Sequence, residues 1–242
     1  RAALTVTFIG RKLGLYLGNA HEHVGHLVFD GLQVPPETYA ATTPVARLLG
    51  EADVQEALPR RRRAAHKGDH GHVLVIGGGP GMPGAARLAG EAALRAGAGL
   101  VTLAVHPDNV GVVAVRPELM CVASRSASDL ATALSGATVV AVGPGLGQSD
   151  WSRDMFEAAL ASGKPLVVDA DALNLLAAAP QRRERWVLTP HPGEAARLLG
   201  ITSAAVQSDR LAAVRQLQER FGGTVVLKGA GSIVHGGAGV PG

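Results

Sequence analysis

HVLVIGGGPGMPGAARLAGEAALRAGAGLVTLAV, residues 72–105, holds the fold in miniature. Residues 73–76 (VLVI) are a short apolar run rich in β-branched side chains, which suit a pleated strand. Residues 85–96 carry Ala and Leu at helical spacing, and residues 100–105 (LVTLAV) are strand-like again. Strand, helix, strand in about thirty residues is the size of a unit that joins two parallel strands.

The pattern repeats downstream. Residues 138–142, 166–168, 186–188 and 225–227 read as strands, with a short one at 233–235. Residues 155–161, 173–178, 195–199 and 209–220 read as helices between them. Wholly apolar strands alternating with helices predict an α/β fold with a parallel sheet covered on both faces. Right-handed crossovers then place every strand-to-helix loop along one edge. Ligands of open α/β sheets bind at that edge, so the residues after each strand matter most.

Upstream of residue 66 this order breaks. Residues 5–9 and 24–29 are strand-like and are joined by a loop holding Gly10, Gly14 and Gly18. Two strands without a helix are marginal alone. They belong either to a domain lying mostly upstream or to an element docked on the main body. Residues 41–66 read as a connector, with a helix over 45–58 opened by Pro44 and closed by Pro59. Arg60, Arg61, Arg62 and Arg63 follow, as a solvated linker or a basic hook for phosphates. The chain starts at Arg1 rather than Met and stops at Gly242 in a Gly-rich stretch, so both ends read as cut.

Composition removes several function classes. The 242 residues carry 23 Lys+Arg against 20 Asp+Glu, a net charge of +3, too small to argue for nucleic acid or an anionic membrane. Aromatic residues make up 3%, which argues against base-stacking platforms. A single cysteine, Cys121, forms neither an intrachain disulfide nor a cysteine-based zinc site. With no signal-peptide layout and no long apolar run, a reducing, cytoplasmic setting is expected.

The strand exits hold the chemistry. After 73–76 comes Gly77-Gly78-Gly79-Pro80-Gly81-Met82-Pro83-Gly84-Ala85. Gly79, Gly81 and Gly84 satisfy G-x-G-x-x-G, but a dinucleotide fingerprint needs an acid ending the next strand, and Asp108 comes late. A ligand-lining glycine loop and a structural turn both stay open. Gly143-Pro144-Gly145-Leu146-Gly147 follows 138–142, and Asp169-Ala170-Asp171-Ala172-Leu173-Asn174 follows 166–168. The acids suit a cation or ligand hydroxyls, or simply cap a helix. Thr189-Pro190-His191-Pro192-Gly193-Glu194 holds a histidine rigidly between prolines. His21, His23 and His26 read as surface residues. Lys228-Gly229-Ala230-Gly231-Ser232 offers a cation and a hydroxyl on a Gly turn, suited to a nucleotide or to an ordinary hairpin. It is not a P-loop, since G-x-x-x-x-G-K-[ST] occurs nowhere.

Taken in order with His66-Lys67-Gly68-x-x-Gly71 and Gly97-Ala98-Gly99-Leu100-Val101, these segments resemble the ADP-dependent NAD(P)H-hydrate dehydratases over residues 66–235. Residues 1–40 resemble the end of the NAD(P)H-hydrate epimerase domain that precedes the dehydratase in bifunctional repair proteins. The resemblance implies three parts: 1–40 epimerase end, 41–65 linker and 66–242 dehydratase. It implies a ribokinase-like three-layer α/β/α sandwich with a mostly parallel sheet, here truncated at the C-terminus. It also implies dehydration of the S epimer of hydrated NADH or NADPH at the expense of ADP, with Mg2+, giving AMP and phosphate. Carried over, Ala85, Gly145 and His191 would contact the hydrated dinucleotide. Lys228, Gly229, Ala230, Gly231 and Ser232 would hold the adenine nucleotide. Asp169, Asn174 and Glu194 would lie near metal or phosphate. A homo-oligomer is allowed, although no motif here demands one.

The family's expected base, an Asp in a G-x-G-D loop, is absent from these residues and is expected beyond Gly242. These 242 residues alone are therefore expected to bind weakly, to turn over negligibly and to leave one edge or face of the sheet uncovered. The rival expectations are a small-molecule kinase of the same fold that uses ATP, and a non-catalytic adenylate-binding module.

Overall fold

Successive side chains along each strand point to opposite faces and divide one sheet between two unequal cores. The computed structural model describes residues 1–113 and 116–236; residues 237–242, the end of the expected 66–242 unit, lie outside the described residues. In chain order the elements are β1 Leu4–Phe8, β2 His26–Asp30, α1 Pro36–Ala40, α2 Glu51–Ala57, β3 His72–Ile76, α3 Pro83–Ala96, β4 Leu100–Val105, α4 Val110–Val113 and β5 Met120–Ala123. They continue as α5 Ala131–Gly136, β6 Val139–Val142, α6 Asp150–Ala161, β7 Leu166–Val168, α7 Asp171–Ala178, β8 Trp186–Leu188, α8 Pro192–Leu199, α9 Ser203–Ser208, α10 Arg210–Phe221, β9 Thr224–Leu227 and β10 Ile233–His235. Among the described residues, no helix is long and apolar enough to cross a membrane.

The main sheet has eight strands in the order β10-β9-β8-β7-β6-β3-β4-β5. Every neighbouring pair is parallel except β9 and β10. The expected α/β, mostly parallel architecture is therefore the observed one. The larger core gathers Leu74, Ile76, Val140, Val142, Val168, Leu188, Val225 and Leu227 on one face, beneath α6, α7, α8 and α10. The smaller core gathers Val75, Val101, Leu103 and Val105 on the other face, beneath α3 and α4. That second cover stops partway. The same row continues across β6 to β10 as Ala141, Val167, Val187, Val226 and Val234, each only half-buried. Among the described residues this face is covered only in part, where one edge or face was expected to be uncovered.

β1 and β2 pair in parallel as a separate two-stranded sheet. Leu4, Val6 and Phe8 stay exposed on it. The loop between them docks on the main body: Leu17 packs against the larger core, and the Gly18 amide donates to the Ala230 carbonyl at 3.0 Å.

Two expectations need correction. The helix expected over 45–58 covers only Glu51–Ala57. It starts where the Asp53 carboxylate accepts from the Gly50 amide at 2.7 Å, a stronger start signal than Pro44. β5, α5 and α9 form where no element was expected, because each is short and lacks a sustained apolar period.

The asymmetry of the sheet is testable. Leu188 is fully buried. Leu188→Ala should cost about 3 kcal/mol, whereas Val187→Thr, one residue away on the open face, should cost under about 1 kcal/mol; urea unfolding checks both. His235 supplies a pH test. It is 7% exposed, and burial, then the Arg215 charge, lowers its pKa, against a smaller opposing effect of Glu219. The unfolded chain therefore binds this proton more readily than the native one, so the contribution is lost as pH falls below about 6.5, the ordinary histidine value. Between pH 7 and 5.5 the urea midpoint of the parent should fall faster than that of His235→Gln.

Candidate functional site

Backbone, rather than side chains, joins the first two strand exits. The Gly77 amide donates to Ala104 at 3.1 Å, Gly78 to Pro144 at 3.0 Å and Gly79 to Gly145 at 2.7 Å. A Cβ on Gly77 would lie 2.2 Å from the Pro144 carbonyl oxygen, and one on Gly79 would lie 2.5 Å from that of Leu146. These two glycines let one loop approach the other. Gly81 and Gly84 face open space. Asn109 secures this arrangement: its buried amide donates to the Gly78 and Gly79 carbonyls at 2.9 and 2.7 Å. Nothing in the reading of the sequence pointed to Asn109; its one local sign was a polar residue just past a strand end.

The next exit is tied in the same way. Gly143, at φ +122°, brings β6 so close to β7 that a Cβ would overlap the Asp169 carbonyl. The Asp171 carboxylate accepts from the Gly147 amide at 2.8 Å. Between the two acids Ala170 sits at φ +49°, ψ −120°, a region that only glycine enters freely.

Lys228 closes the rim. Its Nζ lies 2.6 Å from Asp169 Oδ1 and 3.9 Å from Glu194 Oε2. Its amide donates to the Pro190 carbonyl at 2.8 Å. Glu194 is buried, and its Oε2 accepts from the His191 amide at 2.8 Å. His191 caps α8: its Nδ1 accepts from the Gly193 and Glu194 amides at 2.9 and 3.3 Å. That assigns the ring proton to Nε2 in the neutral form, 3.5 Å from Glu194 Oε1. One cation thus stands between two carboxylates, one of them desolvated.

Ala85 lies in the first turn of α3, where a Cβ on Gly145 would come within 3.0 Å of it. The structure therefore brings Ala85, Gly145, Asp169, His191, Glu194 and Lys228 to one edge. Asn174 is turned elsewhere, with its Oδ1 accepting from Arg197 of α8. Below the rim lies a cavity of about 330 Å³, floored by Ala89, Ala141 and Val167 and edged by Asp169 and Lys228. Its floor includes part of the half-covered apolar row. A larger cavity of about 570 Å³ lies between the linker and the far end of α3, beside Arg60, Arg61 and Gly97, and no expected site residue borders it.

Among the described residues no cluster of three or more His, Cys, Asp or Glu is close enough to hold a metal. A magnesium ion carried on nucleotide phosphates needs only one or two protein carboxylates. Asp169 and Glu194 could supply these.

Residues 73–239 match the family model described as NAD(P)H-hydrate dehydratase. The chain belongs to this family. The bifunctional NAD(P)H-hydrate repair enzyme of Coxiella burnetii is 52% identical over 97% of this chain and 48% of its own length. That of Escherichia coli is 46% identical over 95% of this chain and 44% of its own. The chain thus spans about half the length of the curated relatives it matches. Among solved structures, a ribokinase-like superfamily protein from Enterococcus faecalis superposes with a TM-score of 0.74 at 29% identity, covering 83% of this chain and 72% of that one. The ADP/ATP-dependent NAD(P)H-hydrate dehydratase of Bacillus subtilis, co-crystallised with ATP/Mg2+, gives a TM-score of 0.68 at 28% identity, covering 79% and 70%. The expected ribokinase-like sandwich is the shared fold.

In this dehydratase-family chain, Ala170 offers a direct test of strain. Its backbone conformation costs about 1–3 kcal/mol, and a glycine gives back about 1 kcal/mol through unfolded-state entropy. Ala170→Gly should therefore stabilise the chain by about 1 kcal/mol, read as a higher urea midpoint at unchanged slope. A lower midpoint would show that no strain is stored there.

Proposed function

We propose that this chain is the dehydratase part of a bifunctional NAD(P)H-hydrate repair enzyme. On this reading residues 66–242 form the dehydratase, 41–65 the linker and 1–40 the end of the epimerase unit. The cleft binds the S epimer of hydrated NADH or NADPH beside an adenine nucleotide. The observation that carries the reading is the placement of Lys228 between Asp169 and Glu194 at the mouth of a cavity bordered by strand exits.

Hydroxide is a poor leaving group. ADP would supply the phosphoryl group: the hydrate's hydroxyl gives up its proton and takes the phosphoryl group, leaving AMP; the ring nitrogen's lone pair then expels phosphate, and loss of a proton from the neighbouring ring carbon restores the double bond of NAD(P)H. The protein's work is then positioning and charge neutralisation. Lys228 meets negative charge on a phosphoryl oxygen by giving up part of its contact with Asp169. That exchange frees a carboxylate oxygen for a magnesium ion or its waters, with buried Glu194 beside it. His191 presents its Nε2 proton to the dinucleotide, and Ala85 and Gly145 offer close backbone approach. Residues Lys228, Gly229, Ala230, Gly231 and Ser232 hold the adenine nucleotide. No residue of this chain is assigned the base, because no G-x-G-D occurs in it.

The test is a coupled assay on the protein that carries this chain. Hydrated NADH with ADP and magnesium should yield NADH, AMP and phosphate in equal amounts. Lys228→Met should lower turnover by about 10²–10³-fold while leaving the urea midpoint nearly unchanged. A stable phosphate ester formed from an alcohol and ATP would instead establish a kinase of the same fold.

A further inference from the structure

Arg210 is the first residue of α10, directly after the capping Asp209. This is an unfavourable place for a cation, because the helix dipole is positive at that end. The residue is also 5% exposed. Buried guanidinium groups ordinarily come paired with a carboxylate. Among the described residues none lies within ion-pair distance of this one, and its Nε has no partner. Two penalties at one residue call for a compensating set of hydrogen bonds.

That set lies almost wholly on the loop after β9. One terminal nitrogen of Arg210 donates to the carbonyls of Leu227, Lys228 and Gly231 at 3.1, 3.2 and 3.2 Å. The other donates to Gln207 Oε1 at 2.8 Å. The fork thus ties the entry of the loop to its exit. A Cβ on Gly229 would lie 2.9 Å from the guanidinium, so the turn is wrapped tightly around it.

Planar trans peptides carry this geometry to the other side of the loop. In each unit the N–H points opposite to the C=O that precedes it, and no peptide here is cis. Carbonyls 228 and 231 face Arg210, so the amides of Gly229 and Ser232 face away from it. Neither amide donates to an acceptor among the described residues. The Lys228 amide, set in the same way by carbonyl 227, does find one, at Pro190. The middle of the turn is held by the Gly18 amide, which donates to the Ala230 carbonyl at 3.0 Å.

We infer that Arg210 is the positioning residue of the nucleotide loop: by gathering three carbonyls to one point it aims the amides of Gly229 and Ser232 at the ligand. The inference rests on the proposed role of residues 228–232 in holding the adenine nucleotide. Arg210 does not touch the ligand. Its un-neutralised charge also leaves positive potential beneath the loop, which favours an anion above.

Calorimetry of ADP with magnesium, on the protein that carries this chain and on its Arg210→Lys and Arg210→Met variants, tests this. The parent should bind ADP. Arg210→Met should bind it at least about tenfold more weakly, the scale of losing hydrogen bonds from a charged donor. Arg210→Lys, which keeps charge without the fork, should fall between. Affinity for hydrated NADH should stay within about twofold, since a local change leaves a separate subsite alone. Amide hydrogen exchange over residues 228–232 should speed up in both variants while that of β6 to β8 does not. If the parent binds ADP and folded variants bind it equally well, the inference about Arg210 fails and the loop assignment stands. If the parent does not bind ADP, the loop assignment fails and takes the inference with it. Should Arg210→Met not fold, Arg210→Lys with hydrogen exchange decides the matter by the same criteria.

Discussion

The contact between Lys228 and Asp169 spans the exits of β9 and β7, with β8 between them, at 2.6 Å. Both side chains keep more than a third of their exposure. Such a pair is worth no more than about 1 kcal/mol to stability. Its importance lies in what it leaves ready. The ammonium is held near the mouth of the cavity by a half-exposed carboxylate, which on the proposed reading an incoming phosphate replaces. Buried Glu194, one strand exit away, keeps a second negative charge close, so the lysine stays in the cleft rather than swinging into bulk water.

That pair depends on the sheet beneath it. Parallel strands leave their carboxyl ends on one edge, and glycines there let the loops after β3, β6 and β7 lie backbone against backbone. Side chains at Gly77, Gly79 or Gly143 would drive these loops apart. The cavity exists because α3 and α4 cover β3, β4 and β5 only, leaving the apolar row of Ala141 and Val167 as a floor. Polar groups line the rim and apolar groups the floor, the division common to small-molecule sites.

Much of this was legible in the chain. Strands 73–76, 166–168 and 186–188 announced themselves because each is apolar at every position, including Val167 and Val187 on the half-covered face. The segments around Asp169, His191 and Lys228 stood out because each directly follows such a run, and the topology could only gather them. Other features were out of reach. That Gly77 and Gly79 serve contact between loops depends on where Pro144 and Leu146 fall in space. Asn109 and Arg210 sit beside no motif; each acts on carbonyls some 17 to 31 positions away in the chain. Asn174 looked like a companion of Asp169, and only the placement of α8 shows that Arg197 takes its oxygen. β5 went unread because four residues at a sheet edge carry no period.

The bond from Gly18 to Ala230 joins the opening forty residues to the segment that follows β9. A carbonyl there has a protein donor only while the leading loop is seated, with Leu17 packed against the larger core. Trimming the chain at the arginine run would remove that donor and bare an apolar seat at the same stroke. A shortened version would then be a chemically different molecule at this turn, and titrations done on it would describe a loop without its native neighbour.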